Sequence, residues 1–240
     1  MDPHTPHANV WDTGCWSKVQ AATFDFMTRH IMARMAAGFS FEGKTVLELG
    51  CGTGRLGYLA LQRGARRVTL VDSSQKAVEL ARALFSGVPA AAYEIRAADI
   101  LAAADIPPHD MVFSSGVIEH FRADERRAVI EKHLALAGQD CLIVHPTDTL
   151  YNRLFSVFPP AVKRYGFQLP FSDEEMDRYL RQAAGGCTWR HERFYFFYTV
   201  PGLHNCRINQ WLDRTALGTR WGKLTLTHVK RGAPAGPAAA

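Results

Sequence analysis

Short apolar runs recur along the first two thirds of this chain, separated by stretches whose apolar positions follow a helical period. The runs fall at residues 46–49, 68–72, 93–97, 110–115 and 141–145. Their length and their Val, Leu and Ile content predict buried strands. The intervening segments predict helices. One covers 55–61 and stops at Gly64; one opens at the Ser73-Ser74 cap and runs to about Phe85, with Ala77, Leu80, Ala81 and Leu84 on one face; one covers 117–136 and ends at Gly138. Ahead of them, 17–37 predicts a helix with a Ser17/Gln20 capping box and Phe24, Met27, Ile31 and Met35 at helical spacing. Strand–helix alternation of this kind predicts an α/β fold, a doubly wound and mostly parallel sheet.

Past Pro146 the rhythm changes. Residues 149–167 are Pro-broken, aromatic and basic, and Ser172 with Glu175 caps a further helix. An aromatic strand is expected at 193–200, a helix at 203–217, and a last strand at 223–229 that alternates like a half-exposed antiparallel edge. The expected whole is a Rossmann-like seven-stranded sheet with an antiparallel last strand, one domain over 1–231. A helical extension over 1–40 and an insertion over 146–187 would cover the active face, and 232–240, GAPAGPAAA, reads as a disordered tail.

Composition narrows the classes. With 240 residues, 47% hydrophobic and 21% charged, the chain has material for one substantial core. The net charge of +5 is not gathered into any basic block longer than Arg66-Arg67 or Arg126-Arg127, so charge alone gives no nucleic-acid partner. Five cysteines, scattered and without C-x-x-C, point to reduced thiols and no metal site. The N-terminal residues show no basic-then-apolar signal, and no apolar run reaches the roughly 18 residues of a membrane span. The expectation is a cytoplasmic protein without a membrane partner.

The chemistry gathers at the turn after the first strand, where Gly50, Gly52 and Gly54 alternate and Gly57 follows. Glycine allows positive φ and lets a ligand approach the backbone. Gly52-x-Gly54-x-x-Gly57 with Asp72 at the end of the next strand matches a dinucleotide fingerprint. A nucleoside cofactor without phosphates competes, because Glu48 beside Gly50 would repel a pyrophosphate and suit an ammonium group. In a doubly wound sheet ligands sit at the carboxyl ends of the strands. Those ends carry Asp72, able to accept from a ribose diol; Asp99, able to accept from an adenine amino group; Ile100, placed for the ring face; and Ser114-Ser115.

With these residues in place the chain resembles the class I S-adenosylmethionine-dependent methyltransferases. Residues 46–54, VLELGCGTG, match that family's first motif, Val71-Asp72 the second, Ala98-Asp99-Ile100 the third, and 113–121, FSSGVIEHF, the segment after the fourth strand. The resemblance covers about 40–146. It implies S-adenosylmethionine as cofactor and S-adenosylhomocysteine as product. It implies Glu48, Gly50, Cys51, Gly52 and Gly54 near the methionine end, Asp72 and Ser73 at the ribose, Asp99 and Ile100 at the adenine, and Ser115 near the sulfonium.

Methyl transfer to a protonated O or N nucleophile also calls for a base. His120, after the fourth strand, is the first candidate, His145 the second and Tyr195 the third. Trp11, Trp16, His120 and Tyr195 are candidates to wall a planar, heteroaromatic metabolite, as in specialised metabolism. Rival readings are a nicotinamide-dependent oxidoreductase and a non-catalytic module that binds the same cofactor. A nucleic-acid amino-methyltransferase would place a Pro-Pro-aromatic motif where Ser115-Gly116-Val117 stands. A membrane role for the basic, amphipathic residues 153–167 is set aside because Pro159-Pro160 interrupts them.

Overall fold

The computed structural model describes residues 24–103, 105–166, 168–183, 185–197 and 207–231. The elements in order are α1 (Phe26–Ala37), β1 (Thr45–Leu49), α2 (Arg55–Leu61), β2 (Arg67–Asp72), α3 (Gln75–Leu84), β3 (Tyr93–Ala97), β4 (His109–Ser115), α4 (Ala123–Leu136), β5 (Ala137–Pro146), α5 (Leu150–Val157), α6 (Pro159–Tyr165), α7 (Asp173–Ala183), β6 (Cys187–Phe194), α8 (Ile208–Leu212), α9 (Ala216–Trp221) and β7 (Leu224–Arg231). Short 3-10 turns precede β3 at Ala90–Ala92 and follow β4 at Ile118–His120.

The strands form one sheet of seven in the order β3-β2-β1-β4-β5-β7-β6. All run parallel except β7, which is antiparallel to both of its neighbours, β5 and β6. The order reverses between β1 and β4, so the crevice at their carboxyl ends is the switch point. Each face of the sheet has its own core. Met32 and Met35 of α1, Leu59 of α2 and Phe85 pack over Val46, Leu70, Met111 and Phe113 on one side. On the other, Ile130 of α4 and Met176 and Leu180 of α7 pack over Leu47, Leu49, Val112 and Ile143. Strands buried on both faces are why the first half reads as continuous apolar runs.

Several boundaries differ from those expected. The described part of the first helix begins only at Phe26, where the Asp25 side chain accepts from Thr28 N–H; the Ser17/Gln20 box lies outside the described residues. The helix expected over 117–136 is a 3-10 turn followed by α4, and Ala137 passes directly into β5 in extended geometry without a stop at Gly138. Phe158-Pro159 divides residues 149–167 into α5 and α6. The sixth strand ends at Phe194, where 193–200 was expected, because Tyr195 turns into left-handed backbone at φ 63°. The expected helix over 203–217 resolves, within the described residues, into the short α8 and α9. The last strand is not an edge: β7 lies inside the sheet, and its polar residues find buried partners, Thr225 with Thr147, Thr227 with His191 and His228 with Asp140. The outer edge is β6.

Candidate functional site

The site is built from the turn that leaves β1. Gly50, Gly52 and Gly54 all hold positive φ, at 67°, 53° and 71°. At Gly50 a Cβ would lie 2.5 Å from Cγ2 of Val117, so the turn and the loop after β4 close on each other to a distance only glycine permits. The Cys51 N–H donates to Val71 O at 3.0 Å and the Gly54 N–H to Cys51 O at 2.8 Å, which pins the turn to β2. The Cys51 side chain itself is buried in the core. Burial and the neighbouring carboxylates of Glu48 and Asp72 hold its thiol well above the usual range, so it enters the site through backbone alone.

Two carboxylates brace this turn from below. Asp72, at the end of β2, accepts from Gly52 N–H through Oδ2 at 2.8 Å and from Ser74 N–H through Oδ1 at 2.9 Å. Glu48 lies deeper, 3% exposed, and accepts from Gly57 N–H at 2.8 Å. Desolvation, reinforced by Asp72, pushes the Glu48 carboxyl up to about 8 despite that hydrogen bond. Glu48 therefore stands under the glycine turn as its support; the sequence placed it beside an ammonium group. Gly57 has its own reason to be glycine, because a Cβ there would overlap Leu70 and crowd Glu48.

At the next strand ends, Asp99 is exposed and Oδ1 accepts from Leu101 and Ala102 N–H at 2.7 and 3.2 Å. Ile100 beside it is buried. Ser73 is exposed next to Asp72. After β4, Ser115 is half-buried and Gly116 takes φ 70° with its N–H on Val144 O. The half-buried His120 closes the 3-10 turn that follows. The glycine turn, Asp72, Asp99, Ile100, Ser115 and His120 thus all stand at or just beyond the carboxyl ends of β1 to β4.

The other two base candidates stand apart from this group. His145 is fully buried on the α7 side of β5, edge-on to Phe171, and burial lowers it to about 4, so the ring is neutral. Its Nδ1 is 3.1 Å from Pro146 O and its Nε2 has no partner. Tyr195 is buried, its ring stacked on His30 at 5.0 Å. His30 Nε2 is bonded to Asp213 Oδ2 at 2.6 Å, and Asp213 Oδ1 accepts from Tyr195 N–H at 2.8 Å. Trp11 and Trp16 lie outside the described residues.

Sequence reasoning missed two polar supports near the site. Arg126 of α4, 2% exposed, donates to Glu175, to Leu169 O and to Phe121 O, with its guanidinium 4.5 Å from the Phe171 ring centroid. Leu169 N–H in turn donates to Glu119 O, so Arg126 ties the loop carrying His120 to the return of the insertion. Glu119 is itself buried, and desolvation pushes it up to about 8. The signal for Arg126 was present only as a cation on an otherwise apolar helix face.

The arrangement suits a cationic nucleoside better than a pyrophosphate. The Asp72 carboxylate lies within the turn and raises the cost of a nearby anion, while Glu48, held up to about 8, is protonated at neutral pH. At Gly50 a Cβ would meet Val117, and at Gly54 it would meet Leu70 and Phe85, so these glycines let the turn pack tightly on its own neighbours. Among the described residues no group of three His, Cys, Asp or Glu side chains is placed to hold a metal ion.

Comparison with known proteins agrees with this geometry. Residues 46–137 match the family model described as "Methyltransferase domain". Ribosomal protein L11 methyltransferase of Burkholderia mallei is 32% identical over 117 residues, 40% of this chain and 39% of that protein. The Thermotoga maritima protein of that name is 55% identical over 40 residues, 17% of this chain and 15% of its own length. The chain thus spans less than half of these curated relatives. Among solved structures, magnesium protoporphyrin IX methyltransferase from Synechocystis PCC 6803 with bound SAH superposes with TM-score 0.59 at 18% identity, over 86% of this chain and 82% of that one. An O-methyltransferase family protein from Burkholderia thailandensis gives TM-score 0.66 at 16% identity, over 93% and 60%. At such identities the likeness is one of fold. The family match leaves the nicotinamide oxidoreductase reading without support. The motifs, the sheet order and the match over residues 46–137 agree: the fold is Rossmann-like, and this part of the chain is similar to the class I S-adenosylmethionine-dependent methyltransferases.

Proposed function

We propose that this protein transfers a methyl group from S-adenosylmethionine to O or N of a small, planar or heteroaromatic metabolite. The observation that carries the cofactor half is the pairing of a three-glycine turn with Asp72 at the switch point. The cofactor supplies an electrophilic methyl on a sulfonium. In this reading Asp72, with Ser73 next to it, holds the ribose, and Asp99 and Ile100 receive the adenine. Gly50, Gly52 and Gly54 give the methionine portion access to the backbone, with Glu48 bracing the turn. Ser115 stands nearest the reacting side.

The base role goes to His120, because it is the candidate at the open end of the post-β4 loop. His145 and Tyr195, fully buried on opposite faces of the sheet, keep packing roles. The metabolite class rests on Ser115-Gly116-Val117 standing where a base-flipping motif would lie. The relatives named for ribosomal protein L11 set the competing acceptor, a protein.

Calorimetric titration with S-adenosylhomocysteine, and separately with NADH, tests the cofactor. The expected result is S-adenosylhomocysteine binding that weakens at least about tenfold, or about 1.4 kcal/mol, in Asp72→Ala. NADH binding with no response to S-adenosylhomocysteine would overturn the reading. Transfer of labelled methyl groups across a panel of planar metabolites and purified ribosomal protein then identifies the acceptor; labelling of the protein alone would overturn the metabolite assignment.

A further inference from the structure

The helices that crown the sheet's carboxyl edge turn apolar side chains to water. α5 leaves that edge after Pro146, and α9 returns to it at Leu224, the residue opposite Pro146 in the β5–β7 ladder. The two helices meet at Lys223. Its carbonyl accepts from Asn152 Nδ2 at 2.9 Å, and its ammonium lies 4.9 Å from the Tyr151 ring centroid. Asn152 points α5 inward, so Leu150, Leu154 and Val157, at positions i, i+4 and i+7, form the outward stripe. They are 74%, 61% and 72% exposed, and Phe158 next in line is 55% exposed. Trp211 of α8 and Trp221 of α9 are 61% and 51% exposed. A helix face anchored in a domain normally turns such residues inward.

The charge on the same elements has one sign. On α5 Arg153 is paired with Asp148 just ahead of the helix, so the face draws its cations from residues 207–223. Residues 207–223 contain Arg207, Arg214, Arg220 and Lys223 against a single acid, Asp213, which is buried and bonded to His30. Arg207, Arg214 and Arg220 are exposed, and Arg220 lies over the Trp221 ring at 5.6 Å.

We infer that this face, α5 with α8 and α9, docks the protein on an anionic phospholipid surface. Aliphatic side chains flanked by tryptophan and arginine suit the boundary between headgroups and acyl chains, and an anionic leaflet complements the cations. A second copy of the chain fits poorly, because a twofold contact would set cations against cations. Nucleic acid would use the cations but gives the aliphatic stripe nothing to bury against. Pro159, the interruption that argued against this segment on sequence, separates α5 from α6 and leaves the α5 stripe intact. Docking here would present the carboxyl edge of the sheet, and with it the candidate site, to molecules dissolved in the bilayer. The inference does not rest on methyl transfer.

Co-sedimentation of the full chain with phosphatidylcholine vesicles, with and without about 30 mol % phosphatidylserine, tests it. Partitioning onto the anionic vesicles should exceed that onto the neutral ones at least about tenfold. It should fall at least about tenfold in Leu154→Glu/Val157→Glu and in Arg207→Glu/Arg214→Glu, with melting temperatures unchanged. No binding to anionic vesicles would overturn it, as would equal binding by the Leu154→Glu/Val157→Glu variant. Two further results would also overturn it: full displacement by a single-stranded RNA, and a concentration-dependent dimer that this variant abolishes.

Discussion

Replacing Arg126 by methionine keeps much of the side chain's volume and deletes its guanidinium. The wild-type group reaches both Glu175 oxygens at 3.1 and 3.2 Å, Leu169 O at 2.5 Å and Phe121 O at 3.4 Å, and stacks on Phe171. The charge-assisted bond to Leu169 O contributes about 2 kcal/mol. The cation–π contact adds about 1 kcal/mol. The pair with Glu175, whose side chain is 20% exposed, adds about 1 kcal/mol, since that carboxylate can rehydrate once alone. Arg126→Met should therefore cost about 3–4 kcal/mol in urea unfolding, and Arg126→Lys, which keeps the charge and loses the fork, about half. Because the lost bonds join the post-β4 loop to the return of the insertion, amide exchange should rise first over residues 168–175. Affinity for S-adenosylhomocysteine should move less than about threefold, since the glycine turn and Asp72 lie on other elements. A cost under about 1 kcal/mol would refute the reasoning, as would exchange that rises at the glycine turn before the insertion.

Three further outcomes follow from the buried polar groups. Glu119 titrates near 8 in the fold and near 4.5 outside it, so the folded state binds the extra proton: its stability is intact below about pH 4.5 and declines as pH rises to 8. Glu119→Gln should accordingly raise the unfolding free energy at pH 8.5, by an amount on the order of a few kcal/mol, and change it little at pH 5, as read by calorimetric scans. Gly57→Ala should destabilise by about 1–3 kcal/mol and weaken S-adenosylhomocysteine binding together, because the added methyl displaces Leu70 and the Glu48 brace; unchanged binding in a titration would contradict the bracing role. Asp213→Ala strands His30 and the Tyr195 N–H in the core and should cost about 3 kcal/mol or more by chemical denaturation.

The half of the fold that carries the cofactor was legible because parallel strands buried on both faces leave unbroken apolar runs. The glycine turn is fixed by local sterics that glycine alone satisfies. Past Pro146 the signals misled for definable reasons. The aromatic run from Phe194 reads as a strand, yet Phe194 and Tyr195 serve the packing of α1, with His30 stacked against both rings. β7 alternates polar and apolar like an edge, yet its threonines and His228 are paired within the sheet. At the site, the positions of Asp72 and Asp99 could be read from the strand ends. What Glu48 touches could not, since its partner is a backbone N–H nine residues on.

The placement of β7 also sets the order in which this molecule can be completed. An interior strand drawn from residues 224–231 is made after every other strand in the sheet. Until it arrives, β5 presents an open ladder of unpaired backbone groups, and β6 has no strand to join. The α1 helix waits as well, since His30 finds Asp213 only across 183 residues of chain. The cofactor half can thus assemble first from near neighbours in sequence, whereas closure of the sheet is a late and long-range event. A chain cut before residue 224 would expose β5 as a template for intermolecular pairing, making this strand's arrival the step that separates folding from aggregation.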